Sequence, residues 1–247
     1  MIDAILIAAQ FLTILPLQPK QSPTEEAIGR SLSFYPLIGL LLGLVLVAGA
    51  RIFRHEDALL VAAILLAIWT LLTGALHLDG LADCVDAWVG GRDDRTRTLA
   101  IMKDPASGPM GVTAIVIVLL LKFAMLATLC VHGALVPIAL APLLGRAAVQ
   151  ALLLTTPYVR VNGLGAALAA HLRRRELLVA LILTGVGTWL AAGNAAVAVL
   201  LAAGGVLAVF RRAILQRIGG TTGDTAGALV ELVEVSVLIV FCLIPAS

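Results

Sequence analysis

Charge is what this sequence has least of: 13% of its 247 residues are Asp, Glu, Lys or Arg, against 61% hydrophobic. A soluble domain carries about a quarter charged residues and keeps its apolar runs short, so a water-soluble fold is excluded. Cysteine is nearly absent. Cys84, Cys130 and Cys242 form no CxxC pair or metal-ligand spacing, which leaves no disulfide framework and no thiolate metal site. Residues 1–15 are apolar but lack a basic start and contain Asp3, so no cleavable signal is expected. The apolar runs show no alternation, and in lipid that leaves helices rather than a closed barrel. Paired halves with interrupted helices are missing too, which removes the usual transporter pattern. The net charge of +2 is scattered over several loops, so no nucleic-acid partner is expected.

What is present is a series of apolar runs at about 34–51, 58–78, 111–130, 135–155, 177–192, 195–210 and 227–244. Several reach the roughly 17–25 residues that a helix needs to cross the hydrocarbon core. They predict an all-α fold: a polytopic transmembrane bundle of about seven spans, one integral membrane domain over residues 1–247, with the lipid bilayer as its partner. Residues 1–15 are short for a span and predict an interfacial or partly inserted helix ending at Pro16. Loop 79–110 holds Arg92, Arg95, Arg97 and Lys103; loop 156–176 holds Arg160 and Arg173 to Arg175; loop 211–226 holds Arg211, Arg212 and Arg217. The turns at 131–134 and 193–194 contain no Lys or Arg. By the positive-inside rule the three basic loops face the cytoplasm, and residues 17–33, with Lys20 and Arg30, join them there. A homo-oligomer is left open.

The densest polar cluster begins His77-Leu78-Asp79-Gly80 and continues through Asp83 to Asp86. Asp79, Asp83 and Asp86 are spaced i, i+4, i+7, so on a helix they share one face. Three carboxylates on one stripe repel one another unless a cation neutralises them, and hard oxygen donors suit Mg²⁺ or Mn²⁺. The plainer alternative is a solvated helix end. Against it, the stripe continues an apolar run, where ionisable groups are expensive and usually functional. His77 is a candidate for substrate contact or for supporting a carboxylate. Directly afterwards come Gly90 to Arg97 and then Met102-Lys103-Asp104, where Arg92, Arg95 and Lys103 interleave with acids as phosphate binders would.

A second cluster runs Gly219-Gly220-Thr221-Thr222-Gly223-Asp224, followed by an apolar run carrying Glu231 and Glu234. Glycines such as Gly220 and Gly223 let backbone N–H groups close on phosphate oxygens at a helix N-terminus. Asp224 and Glu231, seven apart, share a face and extend the candidate site. Acidic groups entering a span need a partner, and Lys122 and Arg146 are the basic candidates. A buried ion pair that fixes helix register is the alternative to a functional role.

HLDGLADCVDAW (77–88) with GGRDDRTRTLAIMKDPASGPMG (90–111), and GGTTGDTAGALVELVE (219–234), resemble signature blocks of the cobalamin synthase family. FYPLIGLLLG at 34–43 and the pair Gly145-Arg146 resemble two further blocks, and the likeness runs nearly end to end. It implies a membrane enzyme with a cytoplasmic active site that uses Mg²⁺. Such an enzyme joins adenosylcobinamide-GDP to α-ribazole or its 5′-phosphate, forming adenosylcobalamin or its phosphate and releasing GMP. For this reaction the carboxylate stripe and the charge pattern put the metal on Asp79, Asp83 and Asp86 and phosphate on Arg92, Arg95 and Lys103, with Asp104 or Asp224 as the general base. Two departures stand out. Ile14 occupies the Arg position of an FxTRLP block, and the Arg160–Gly165 segment lacks the acids that often precede a GLG loop. A weaker likeness links Asp79-Gly80-Leu81-Ala82 to the DGxxA of CDP-alcohol phosphotransferases, with Asp83 in place of their Arg. The rival readings are therefore a phospholipid synthase of that type and a cation-coupled transporter.

Overall fold

The computed structural model describes residues 2–17, 23–160 and 164–244. Lys20 and the Val161–Gly163 part of the Arg160–Gly165 segment lie outside the described residues. In chain order the helices are α1 (Ile2–Leu12), α2 (Glu25–Ser31), α3 (Tyr35–Ile52), α4 (Ala58–Leu72), α5 (Leu76–Gly90), α6 (Arg95–Ile101), α7 (Pro109–Val131), α8 (Val136–Thr155), α9 (Leu164–Ala170), α10 (Arg174–Ala192), α11 (Ala195–Ile218) and α12 (Gly223–Leu243). A single 3-10 turn, Leu32–Phe34, links α2 to α3. Proline stands in the first turn of α3, α7 and α8, where its missing N–H costs nothing. Asp57, Asp94 and Thr222 cap the starts of α4, α6 and α12 through their side chains.

Among the described residues six helices are long and apolar enough to cross a membrane, and a seventh span exists only if α4 and α5 count as one. This corrects the continuous 58–78 run: the two helices meet at 83°. The break is fixed by contact with the N-terminal segment. Leu72 gives its carbonyl to the Ile14 N–H, 2.9 Å away, and Gly74 and Ala75 both take left-handed backbone angles. A Cβ on Gly74 would press on the Ile14 side chain, so the residue at the family's Arg position serves here to seat the break.

Two further expectations are revised. Loop 79–110 is helical for most of its length, carrying α5 and α6, and α11 reaches eight residues past the apolar run to Ile218. The short N-terminal helix is present as α1, and it buries Ala4, Ile7, Ala8, Ala9 and Leu12 against the bundle.

At the centre α12 packs against α5, α8, α11 and α7, while α3 lies along α8. Gly39 and Gly43 of α3 touch the α8 backbone at Pro142 and Ala139, with no room for a Cβ. Small residues four apart let two membrane helices approach this closely.

Candidate active site

The two polar clusters, separated by more than a hundred residues, meet where α5 crosses the start of α12. Gly80 makes the crossing. A Cβ there would stand 2.8 Å from the Asp224 carbonyl oxygen, and one on Gly227 would stand 3.3 Å from the His77 Cα. With helix axes this close, the Asp83 carboxylate comes within electrostatic reach of Asp79, Asp86 and Asp224. One guanidinium, that of Arg160, answers this group of four acids, bonding Asp224 at 2.5 Å and the Met102 carbonyl at 3.0 Å.

A cavity of about 150 Å³ opens beside the crossing. His77, Asp79, Gly80, Gly223 and Asp224 are among its lining residues. Its lip is built by the 157–159 segment, which pairs with the glycine-rich loop through Val159 N–H to Thr221 O at 2.9 Å and Thr221 N–H to Pro157 O at 2.8 Å. The threonines of the second motif serve this architecture. Thr222 caps α12 in a capping box with Thr225, and Thr221 bonds Thr225 at 2.8 Å. Tyr158 faces the cavity from the lip, and burial, only partly offset by the Arg160 charge, holds its phenol above the ordinary range.

The sequence candidates divide. Asp79, Asp83, Asp224, His77 and Gly223 come together as expected. Asp86 is turned away from them: its two carboxylate oxygens accept the backbone N–H groups of Gly108 and Gly111, at 2.7 and 2.8 Å, and so cap the start of α7. Glu231 is placed elsewhere. It is 4% exposed, does not line the cavity, and bonds Lys122 at 2.7 Å inside the bundle. Lys122 also bonds Glu234 at 2.5 Å and lies over the Trp69 ring, while Arg146 pairs with Glu234 and bonds His77 Nδ1 at 3.3 Å. The pairing expected for Lys122 is thus found, with both glutamates. Arg95 lies against Gly219, its guanidinium carbon 3.6 Å from where a Cβ would be. Gly220 is packed under the Pro157 carbonyl. Arg92 and Lys103 are exposed, as is Asp104, whose carboxylate accepts from the Ala106 N–H.

Two arginines counted only as loop charges prove to be structural anchors. Arg160 is one. Arg217 is the other: it pairs with Asp93, bonds the Trp88 carbonyl at 2.6 Å and Thr98 Oγ1 at 3.2 Å, and stacks over Trp88. It holds the turn in which Arg92 and Asp93 both adopt left-handed angles. Neither role is written locally, because each partner lies more than fifty residues away.

A family model described as cobalamin-5-phosphate synthase matches residues 4–242. The chain belongs to the cobalamin-5-phosphate synthase family. Among its relatives, the adenosylcobinamide-GDP ribazoletransferase of Stutzerimonas stutzeri is 54% identical over 95% of this chain and 96% of its own length. The protein of that name from Pseudomonas aeruginosa PAO1 is 52% identical over 97% of this chain and 98% of its own length. No solved structure matches the chain. Membership in the cobalamin-5-phosphate synthase family leaves the phospholipid-synthase and transporter readings without support, and Lys122, the one residue favouring transport, is fully engaged by its glutamates.

Proposed function

We propose that this chain is an adenosylcobinamide-GDP ribazoletransferase, joining adenosylcobinamide-GDP to α-ribazole or its 5′-phosphate. The products are adenosylcobalamin, or its phosphate, and GMP. One observation carries the reading: the α5 and α12 carboxylates converge across the Gly80 crossing beside a cavity and a helix N-terminus. A ribose hydroxyl attacks the phosphorus borne by the cobinamide, the P–O bond to GMP breaks, and the hydroxyl proton passes to a carboxylate. Asp224 lines the cavity and suits that base role better than exposed Asp104. Transfer of this kind depends on positioning and charge stabilisation more than on covalent chemistry. Arg95, beside the glycine-rich loop, with Arg92 and Lys103 on the same motif, supplies positive charge for the pyrophosphate.

The donor set fits Mg²⁺. Asp79, Asp83 and Asp224 beside one arginine leave negative charge for a cation to neutralise, and Mg²⁺ commonly takes one or two carboxylates and completes its shell with water and phosphate. Among the described residues no three His, Cys, Asp or Glu side chains stand close enough to hold an ion unaided. Asp79 and Asp83, one helical turn apart, are therefore the ligands proposed, with Asp86 supporting them from its bonds to α7. Bound there, the ion would neutralise charge developing on the pyrophosphate oxygens. The Lys and Arg pattern supports a bacterial inner-membrane location with this face in the cytoplasm. Purified protein given both substrates and Mg²⁺ should form one GMP per cobalamin product. Cobalamin formation without GMP, or no product under any divalent ion, would refute the reading.

A further inference from the structure

The phosphate chemistry leaves one wall of the cavity unused. Besides Asp79 and Asp224 the cavity is lined by Phe11 and Leu12 of α1, Tyr35 of α3 and Leu168 of α9. The Phe11 and Tyr35 rings stack, with centroids 6.1 Å apart and planes 24° from parallel. Tyr35 is 2% exposed, yet its hydroxyl has no hydrogen-bond partner among the described residues. Buried phenols nearly always find a partner, because an unmade bond there carries a full desolvation penalty. An orphan donor in the wall of a cavity, beside a stacked ring, is suited to something that binds.

We propose that this wall seats the aromatic base of the α-ribazole acceptor, with Tyr35 donating its hydroxyl hydrogen to the base's unsubstituted ring nitrogen. The inference rests on the transferase reading given above and adds to it the subsite that selects the acceptor. Size comes first. A cavity of about 150 Å³ takes one aromatic ring system, whereas a whole nucleotide or a corrin needs the several hundred Å³ of an ordinary ligand pocket. Chemistry comes second. The base of α-ribazole is a flat methylated benzimidazole, one nitrogen of which is used by the ribose, leaving a single acceptor. Guanine, the other base in the reaction, presents O6 and N7 acceptors and an N2 donor, too many for a wall offering one hydroxyl. Position comes third. A base held against Phe11 and Tyr35 shares its cavity with His77, Asp79 and Asp224.

The test is calorimetric binding of α-ribazole to the full chain in detergent, comparing wild type with Tyr35→Phe and Phe11→Leu. Tyr35→Phe keeps the ring and removes only the hydroxyl, so the expected loss is about 5–10-fold, the size of one neutral hydrogen bond. An analogue with C–H in place of the ring nitrogen should bind wild type and Tyr35→Phe equally, and GDP should bind both alike. Unfolding midpoints that match wild type exclude a folding defect. Equal α-ribazole binding by wild type and Tyr35→Phe, or no binding by wild type, overturns the proposal. So does a loss confined to GDP, which would give the cavity to guanine. GMP release separates this from the reaction itself. A wild type that turns over while Tyr35→Phe keeps its KM for α-ribazole sinks the subsite and spares the function. Tyr35-dependent binding without any GMP release does the reverse.

Discussion

At the scale of single residues, two aspartates three positions apart on one helix have different roles. Asp83 faces the other acids of the site, whereas Asp86 commits both oxygens to the N–H groups that open α7. Asp86→Asn would replace one acceptor by an NH₂ pointing at a backbone donor, so it should destabilise the protein by about 1–2 kcal/mol, the range of a lost helix cap. Thermal unfolding in detergent reads this; a wild-type midpoint would remove the capping role. The i, i+4, i+7 spacing made the shared face legible, but the N–H groups that Asp86 accepts lie 22 and 25 residues further on, beyond any local pattern. Lys122 was legible for the opposite reason, since a charge deep in an apolar run demands a partner. Lys122→Met leaves two buried glutamates with Arg146 alone and should cost about 3–5 kcal/mol. Adding Glu231→Gln should restore part of that stability. Strictly additive losses would show that the lysine and Glu231 do not interact.

Between elements, the decisive contact is the crossing of α5 with α12. Gly80 meets backbone there, which cannot move aside as a flexible side chain can. Gly80→Ala should therefore push the helices apart, costing about 1–3 kcal/mol as overpacking does and lowering turnover by separating Asp79 from Asp224. Gly227→Ala, with its nearest neighbour at 3.3 Å, should be the milder change. Parallel unfolding and activity measurements on the two variants check the order, and a harmless Gly80→Ala would rule out the crossing as the device that joins the motifs. Helix positions were readable from runs of apolar residues, yet the break inside 58–78 was not. Hydropathy continues across Thr73–Ala75 without interruption, and the turn is set by the bond from Ile14, some sixty residues earlier. The aromatic wall was hidden for a similar reason, because Phe11 and Tyr35 read as ordinary apolar positions until α1 folds against α3.

For the whole molecule, contacts put the three basic segments on one side. Arg95 lies by Gly219, Arg217 pairs with Asp93, and Arg160 bonds the Met102 carbonyl. With Cys84, Cys130 and Cys242 replaced, single cysteines at the exposed positions Arg97, Arg174 and Arg212 should all resist an impermeant reagent applied to intact cells, and one at Gly193 should react. Labelling at position 97 from outside would invert the proposed orientation. The joining of both acidic motifs into one transfer site is tested most directly by GMP release from adenosylcobinamide-GDP, measured for wild type and Asp83→Asn in the same detergent with Mg²⁺. Wild type should release GMP only when α-ribazole is present. Asp83→Asn should do so at least ~100-fold more slowly while unfolding at the wild-type midpoint. An Asn variant that turns over at the wild-type rate would contradict the placement of the active site between α5 and α12.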